Sequence, residues 1–164
     1  MKRLLPLWLS IAVGCDKPEP PAPPPPVPKP KVEPQPKPPE QDISGQPARV
    51  TVQHILIAFQ GSMPKPVTRT KEEAEKLAKT LLERAQKGED FSKMTMSFSD
   101  DSPDGVYSMF NFNAQAGNSD DYPRKAMAPS FGDVSFSLKV GEIGIASYHP
   151  QKSPYGWHII KRLK

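Results

Sequence analysis

The chain has 164 residues and a formal net charge of +4, and 14 of its 22 prolines fall between Lys17 and Pro47. That length holds one folded domain plus extensions. From Ala48 onward 16 basic residues stand against 13 acidic ones, with no basic run interleaved with aromatics, which argues against a nucleic-acid-binding protein.

The first fifteen residues read as an export signal. Lys2 and Arg3 form a basic start, followed by an apolar stretch from Leu4 to Val13 that Pro6 interrupts. About ten apolar residues suit a signal core and are too few for a bilayer, which needs about 20. The stretch ends Ala12-Val13-Gly14-Cys15. It resembles a bacterial lipobox, with Ala12 where leucine is usual. The resemblance implies removal of residues 1–14 as a signal peptide, lipidation of Cys15, and a membrane anchor. Asp16 after the cysteine would favour the inner membrane. Cys15 is the only cysteine, so no intramolecular disulfide is available, and lipidation would remove a free thiol. The plainer alternative is an ordinary secretory signal cut elsewhere.

Residues 15–47 comprise that cysteine and a Pro-rich linker, with KPEPPAPPPPVPKPKVEPQPKPPE as its core. Such a composition builds no core and is expected to be disordered with polyproline II character. At about 3.1 Å per residue it reaches on the order of 90 Å when extended. Between Lys17 and Pro47 four lysines balance four acids, so it is a tether rather than a polybasic membrane patch.

Residues 48–164 are the folded part. Val50–Phe59 (VTVQHILIAF) predicts a central strand buried on both faces. Thr70–Gly88 predicts a helix, with Thr70 and Glu73 spaced as a capping box. Ala74, Leu77, Ala78, Leu81, Leu82 and Ala85 form its apolar face, and Gly88 is its stop. A second short helix follows from Asp90 to about Ser97. Val106–Phe112 predicts a short strand and Asn113–Asp121 a loop. A helical turn is expected within Pro123–Ser130, a short helix over Gly132–Leu138, and two strands at Gly144–Tyr148 and Gly156–Leu163. Strands and helices do not alternate, so the fold class is α+β with an antiparallel or mixed sheet.

Two of the three histidines, His54 and His158, sit inside strand-forming runs at opposite ends of this region. A single buried histidine is ordinarily satisfied by a backbone carbonyl. The matched pair points to something more. His149, before Pro150, reads as an exposed loop residue.

Taken in order, VQHILI, VTRTKEEAEKLAKTLLERAQKGEDFSKM, SFSDDS, SFGDVSFSLKVGEIG and YGWHII resemble the parvulin-type peptidyl-prolyl cis–trans isomerases. The resemblance implies a parvulin-like four-stranded antiparallel sheet surrounded by helices. It also implies paired histidines, His54 and His158, under the substrate site. Asp101 of the FSD-x-S segment and the hydroxyl of Ser153 would tie their outer nitrogens, making His54, Asp101, Ser153 and His158 the catalytic set. Met127 and Phe131 would hold the proline ring, with Tyr107 and Phe110 completing the substrate groove. No cofactor and no metal is implied. Where most of the family has a glycine-rich stretch, this chain reads Gly105-Val106-Tyr107-Ser108-Met109-Phe110. Tyr107 stands at a position usually leucine, and Asn111–Arg124, carrying Asp120 and Asp121, is longer than usual. The loop Gln60–Thr68 has Lys65 and no arginine cluster, so no preference for phosphorylated sites is expected.

The expected function is therefore a membrane-tethered isomerase that assists folding of exported proteins in a bacterial cell envelope. It would face the periplasm or the cell exterior and take unfolded or Xaa-Pro-containing polypeptides as partners. Two alternatives use the same features: a non-catalytic chaperone or peptide-binding module with the same groove, and a structural lipoprotein whose proline-rich arm contacts the cell wall.

Overall fold

A computed structural model describes residues 45–164, so the expectations for the signal, for Cys15 and for the linker up to residue 44 lie outside the described residues. Strand β1 (Arg49–Ile57) occupies the middle of the sheet. Its RVTVQHILI sequence is apolar on both faces because helices cover both. Helices α1 (Lys71–Gln86) and α2 (Phe91–Phe98) pack on the face that carries Ile55, Ile57, Trp157 and Ile159. The opposite face carries Val50, Val52, Met109 and Ile160 and receives α3 (Pro129–Ser137) through Phe131 and Phe136.

The remaining strands are β2 (Val106–Phe110), β3 (Tyr122–Pro123), β4 (Ile143–Ala146) and β5 (Trp157–Arg162), and the sheet order is β3-β2-β1-β5-β4. Four of these strands form the expected antiparallel sheet. The fifth, β3, is a two-residue addition running parallel to β2. It exists because the long 111–121 connection is fastened back onto the sheet. The Arg49 guanidinium donates to Gln115 O (2.6 Å), and the Asp121 carboxylate accepts from Gly117 N (2.6 Å) and Asn118 N (3.1 Å).

Helix α1 begins with the predicted capping box. Thr70 Oγ1 accepts from Glu73 N (3.2 Å) and the Glu73 carboxylate accepts from Thr70 N (2.7 Å). The predicted helical turn is a 3-10 turn at Arg124–Ala126. Helix α3 starts three residues earlier than the expected Gly132, because Pro129 occupies its first turn, where a missing N–H costs nothing. His149 is exposed, and its Nδ1 accepts from Gln151 N and Lys152 N in a turn.

Candidate active site

The two histidines meet through sheet register. In the antiparallel β1–β5 pair His54 lies opposite Ile160 and Leu56 opposite His158, which makes the histidines diagonal neighbours on one face. Their Nδ1 atoms are 3.2 Å apart and their rings nearly parallel, at 15°. Both are buried, at 3% and 5% exposure.

His54 Nε2 lies 3.0 Å from Asp101 Oδ2. Asp101 is placed by the turn after α2, which is bound to β1 along its length. Asp100 N donates to Leu56 O, Leu56 N to Ser99 Oγ, and Ala58 N to the Asp100 carboxylate, which Arg69 also neutralises. Asp101 N donates to Ser99 Oγ as well. The Tyr107 hydroxyl donates to the same Asp101 oxygen at 2.8 Å.

These contacts order the protons. Hydrogen bonding from His54, with a further contribution from Tyr107, overcomes burial and lowers the Asp101 carboxyl to about 2. An ionised carboxylate only accepts, so His54 Nε2 carries hydrogen. Burial, with the neighbouring His54 in support, pushes His158 down to about 3, so its ring is neutral at ordinary pH. Burial and the Asp101 charge push the Tyr107 hydroxyl up, keeping it a donor. One proton lies between the two Nδ1 atoms and links the rings. His158 Nε2 has no hydrogen-bond partner among the described residues.

Ser153 departs from its expected place as the tie to that nitrogen. Its Oγ donates to Gly156 O (2.9 Å), and a hydroxyl has one proton to give. Its backbone also bridges to His149, so Ser153 braces the turn into β5. Phe110 departs as well. Side chains alternate along a strand, and Phe110 is three residues from Tyr107, so it projects from the opposite face of β2. It is not among the residues lining the groove.

Above the histidines lies a mostly apolar pocket of about 250 Å³. Phe131 stands edge-on to His54 (centroids 5.0 Å, 70°) and tilted against His158 (5.2 Å). Met127, Tyr107, Asp101 and both histidines complete the predicted lining. Met127 is held by its N–H to Arg124 O (3.1 Å). Arg124 is itself fixed between the Phe112 and Phe136 rings and hydrogen-bonded to Gln46, Asn111 and Asp133. Five lining residues escape the sequence reading: Leu56, Met63, Ala126, Ala128 and Tyr155. Leu56 was available from strand periodicity, two residues past His54. Met63 and Tyr155 come from loops that carry no period. Ser62 joins those loops by hydrogen bonds to Phe59 O and Tyr155 O, both 2.9 Å.

Such a site can hold an apolar ring over a hydrogen-bonded chain of fixed polarity. Among the described residues no three His, Cys, Asp or Glu side chains are grouped as metal ligands. Residues 41–164 match the sequence model of the PPIC-type PPIASE domain, the peptidyl-prolyl isomerase domain of parvulin type. The chain belongs to this family. It is 36% identical over 87 residues to the foldase protein PrsA of Caldanaerobacter subterraneus subsp. tengcongensis, covering 53% of this chain and 24% of that one. It is 32% identical over 114 residues to the chaperone SurA of Pseudomonas fluorescens, covering 70% and 22%. Among solved structures it is similar to the peptidyl-prolyl isomerase ESS1 from Candida albicans, with 25% identity, a TM-score of 0.51, and coverage of 73% of this chain and 67% of that one. The matched region spans about a quarter of the two curated relatives, and the parvulin-type fold is the part shared.

Proposed function

We propose that this protein is a peptidyl-prolyl cis–trans isomerase that assists folding of exported polypeptides. The observation that carries the reading is the apolar pocket of Phe131 and Met127 placed directly over the linked His54–His158–Asp101 chain. Relatives named as a foldase and a chaperone support the same role.

Rotation about an Xaa-Pro bond meets a barrier of about 18–20 kcal/mol, most of it lost amide resonance, and unaided exchange takes tens to hundreds of seconds. No bond needs to break, so the protein has to favour the twisted amide over the planar one. Phe131 and Met127 grip the proline ring and exclude water. The histidine pair, held by Asp101, presents a fixed field that needs no reorganisation as the carbonyl turns. His54 and His158 act here as organisers of that field, with no nucleophilic step.

The reading extends to location. The apolar N-terminal stretch and Cys15 support a lipid anchor in a bacterial envelope, with residues 15–47 as the tether and 48–164 as the isomerase domain. Labelling cells with an alkyne fatty acid tests the anchor. Label retained in Cys15→Ser would exclude Cys15 as the acylated residue.

Refolding of a protein whose slow phase is set by a non-native Xaa-Pro isomer tests the activity. Acceleration of that phase at substoichiometric amounts is expected. A groove that binds the unfolded chain and leaves the phase unchanged would mean a peptide-binding module. The double engagement of Asp101 by His54 and Tyr107 is the feature that favours this second reading.

A further inference from the structure

The outer edge of the sheet beside this groove is open over part of its length. Strand β3 pairs only with Met109 and Phe110 of β2, and no described strand covers the outer side of Val106–Ser108. Alternation identifies which groups face out. His54 N donates to Gly105 O and Asn111 N to Ala48 O, so Tyr107 and Met109 direct their backbone groups to β1. Val106 and Ser108 then direct theirs away from it. Val106 N–H faces the Asp104 carboxylate, whose charge it favours, and the parallel β3 register uses Ser108 C=O. What remains is an outward acceptor, Val106 C=O, and an outward donor, Ser108 N–H. One residue of an added parallel strand satisfies such a pair.

Beside this edge lies a second cavity of about 630 Å³, walled by Val106, Ser108, Tyr122 and the 118–121 turn. It neighbours the groove across a pair of tyrosine rings. Tyr107 lines the groove, Tyr122 lines the cavity, and their ring centroids are 5.6 Å apart. Tyr122 and Val106 are exposed at 50% and 43% although both are apolar in body. The acidic pair of the long loop separates in function. Asp121 is buried as a brace for Gly117, Asn118 and Arg49, whereas Asp120 is exposed at the cavity, accepting only from Ser119.

We propose that the open edge of β2 is a second binding site, at which the extended segment flanking the target proline adds as a strand against Val106 and Ser108. Its side chains pack on Tyr122, and a lysine or arginine faces Asp120. The long 111–121 connection, which brings Tyr122 and Asp120 to the edge, is what builds the site. Main-chain pairing gives affinity without a fixed sequence, which suits a protein that meets many unfolded chains. The identity of the occupant rests on the isomerase reading above.

The test uses the full chain and peptides with one Ala-Pro core: a bare tetrapeptide, the same core with six-residue flanks containing lysine, and a version N-methylated at alternate flank residues. Two-dimensional exchange NMR gives turnover and half-saturation, and ¹⁵N amide shifts report the edge. The flanked peptide is expected to half-saturate about tenfold lower than the bare one, as two extra hydrogen bonds allow. It should shift the amide signals of Ser108 and residues 118–122. N-methylation or Tyr122→Ser should remove the gain, leaving turnover at saturation unchanged. Replacing the lysines by glutamate should weaken binding, and Asp120→Asn should erase that difference. Equal half-saturation of bare and flanked peptides with no shift at Ser108 would overturn the proposal while leaving the isomerase reading intact. If no peptide exchanges at all, the isomerase reading fails, and the Ser108 shift with the flanked peptide still decides the edge site.

Discussion

His158 is the residue on which burial weighs most. Its ring is held neutral at a position where the same residue in an unfolded chain takes a proton near pH 6.5. Below that pH the unfolded state binds the extra proton, so the stability tied to a neutral His158 is complete above about 6.5 and falls as pH drops toward 3. Between pH 8 and pH 5 the loss is about 2 kcal/mol, a figure insensitive to the folded value so long as that stays below 4. Asp101 acts in a lower window. Its contribution is complete above its ordinary value of 3.8 and disappears only as pH falls through about 2. Urea titrations of wild type and His158→Leu at several pH values separate the two. The wild-type slope between pH 8 and 5 should flatten in the variant, which should also lose about 1–3 kcal/mol at pH 8 by leaving His54 Nδ1 without its partner. Parallel slopes would contradict a neutral buried His158.

Tyr107 and His54 offer a second test at this scale. Both donate to Asp101 Oδ2, and His54 contributes more to holding the carboxyl down. Carboxyl ¹³C titration should find Asp101 raised in Tyr107→Phe and raised further in His54→Leu. The reverse order would mean that the hydroxyl, not the imidazole, governs the carboxylate. The parvulin resemblance pointed to His54, His158, Asp101 and Phe131, each inside a motif that carries it, and implied Met127 beside them. Ser153 and Phe110 depart from their expected places for two different physical reasons. A serine proton can go to a turn carbonyl as readily as to a ring. Phe110 also violates the parity of the strand it shares with Tyr107, a check the sequence did permit.

At the scale of elements, the site is framed by two close backbone approaches to β1. Gly105 precedes β2 with φ +57°, and Gly156 precedes β5 with φ +140°, and a Cβ on either would overlap a carbonyl of β1, that of His54 or of Ile57. Gly156→Ala is therefore expected to destabilise by more than 3 kcal/mol, combining backbone strain with a clash against main chain. Thr70→Ala, which removes one half of the α1 capping box, should cost only about 1 kcal/mol. Thermal denaturation of the two variants should show that ranking, and equal melting would contradict the tight turn at Gly156. The long helix and the two central strands were readable because burial imposes a period on them. The start of α3 at Pro129 was signalled by that proline. Strand β3 was not readable, since two residues carry no period and are placed by contacts from Arg49 and Asp121, 73 and one residues away in sequence from Tyr122.

At the scale of the whole molecule, the proposed chemistry sits in one groove of the isomerase domain. The central claim is that Phe131 and Met127 grip a proline ring over the His54–His158 pair. The most direct test is two-dimensional exchange NMR on short Xaa-Pro peptides with wild type and Phe131→Ala, with circular dichroism confirming that the variant is folded. Removing a packed phenylalanine costs about 3–5 kcal/mol, so Phe131→Leu, which keeps most of the volume, serves as the second variant. Cis–trans exchange peaks are expected with wild type, weakened peaks with Phe131→Leu and none with folded Phe131→Ala. Undiminished exchange in folded Phe131→Ala would contradict the pocket, and peptide binding without exchange in wild type would contradict the isomerase.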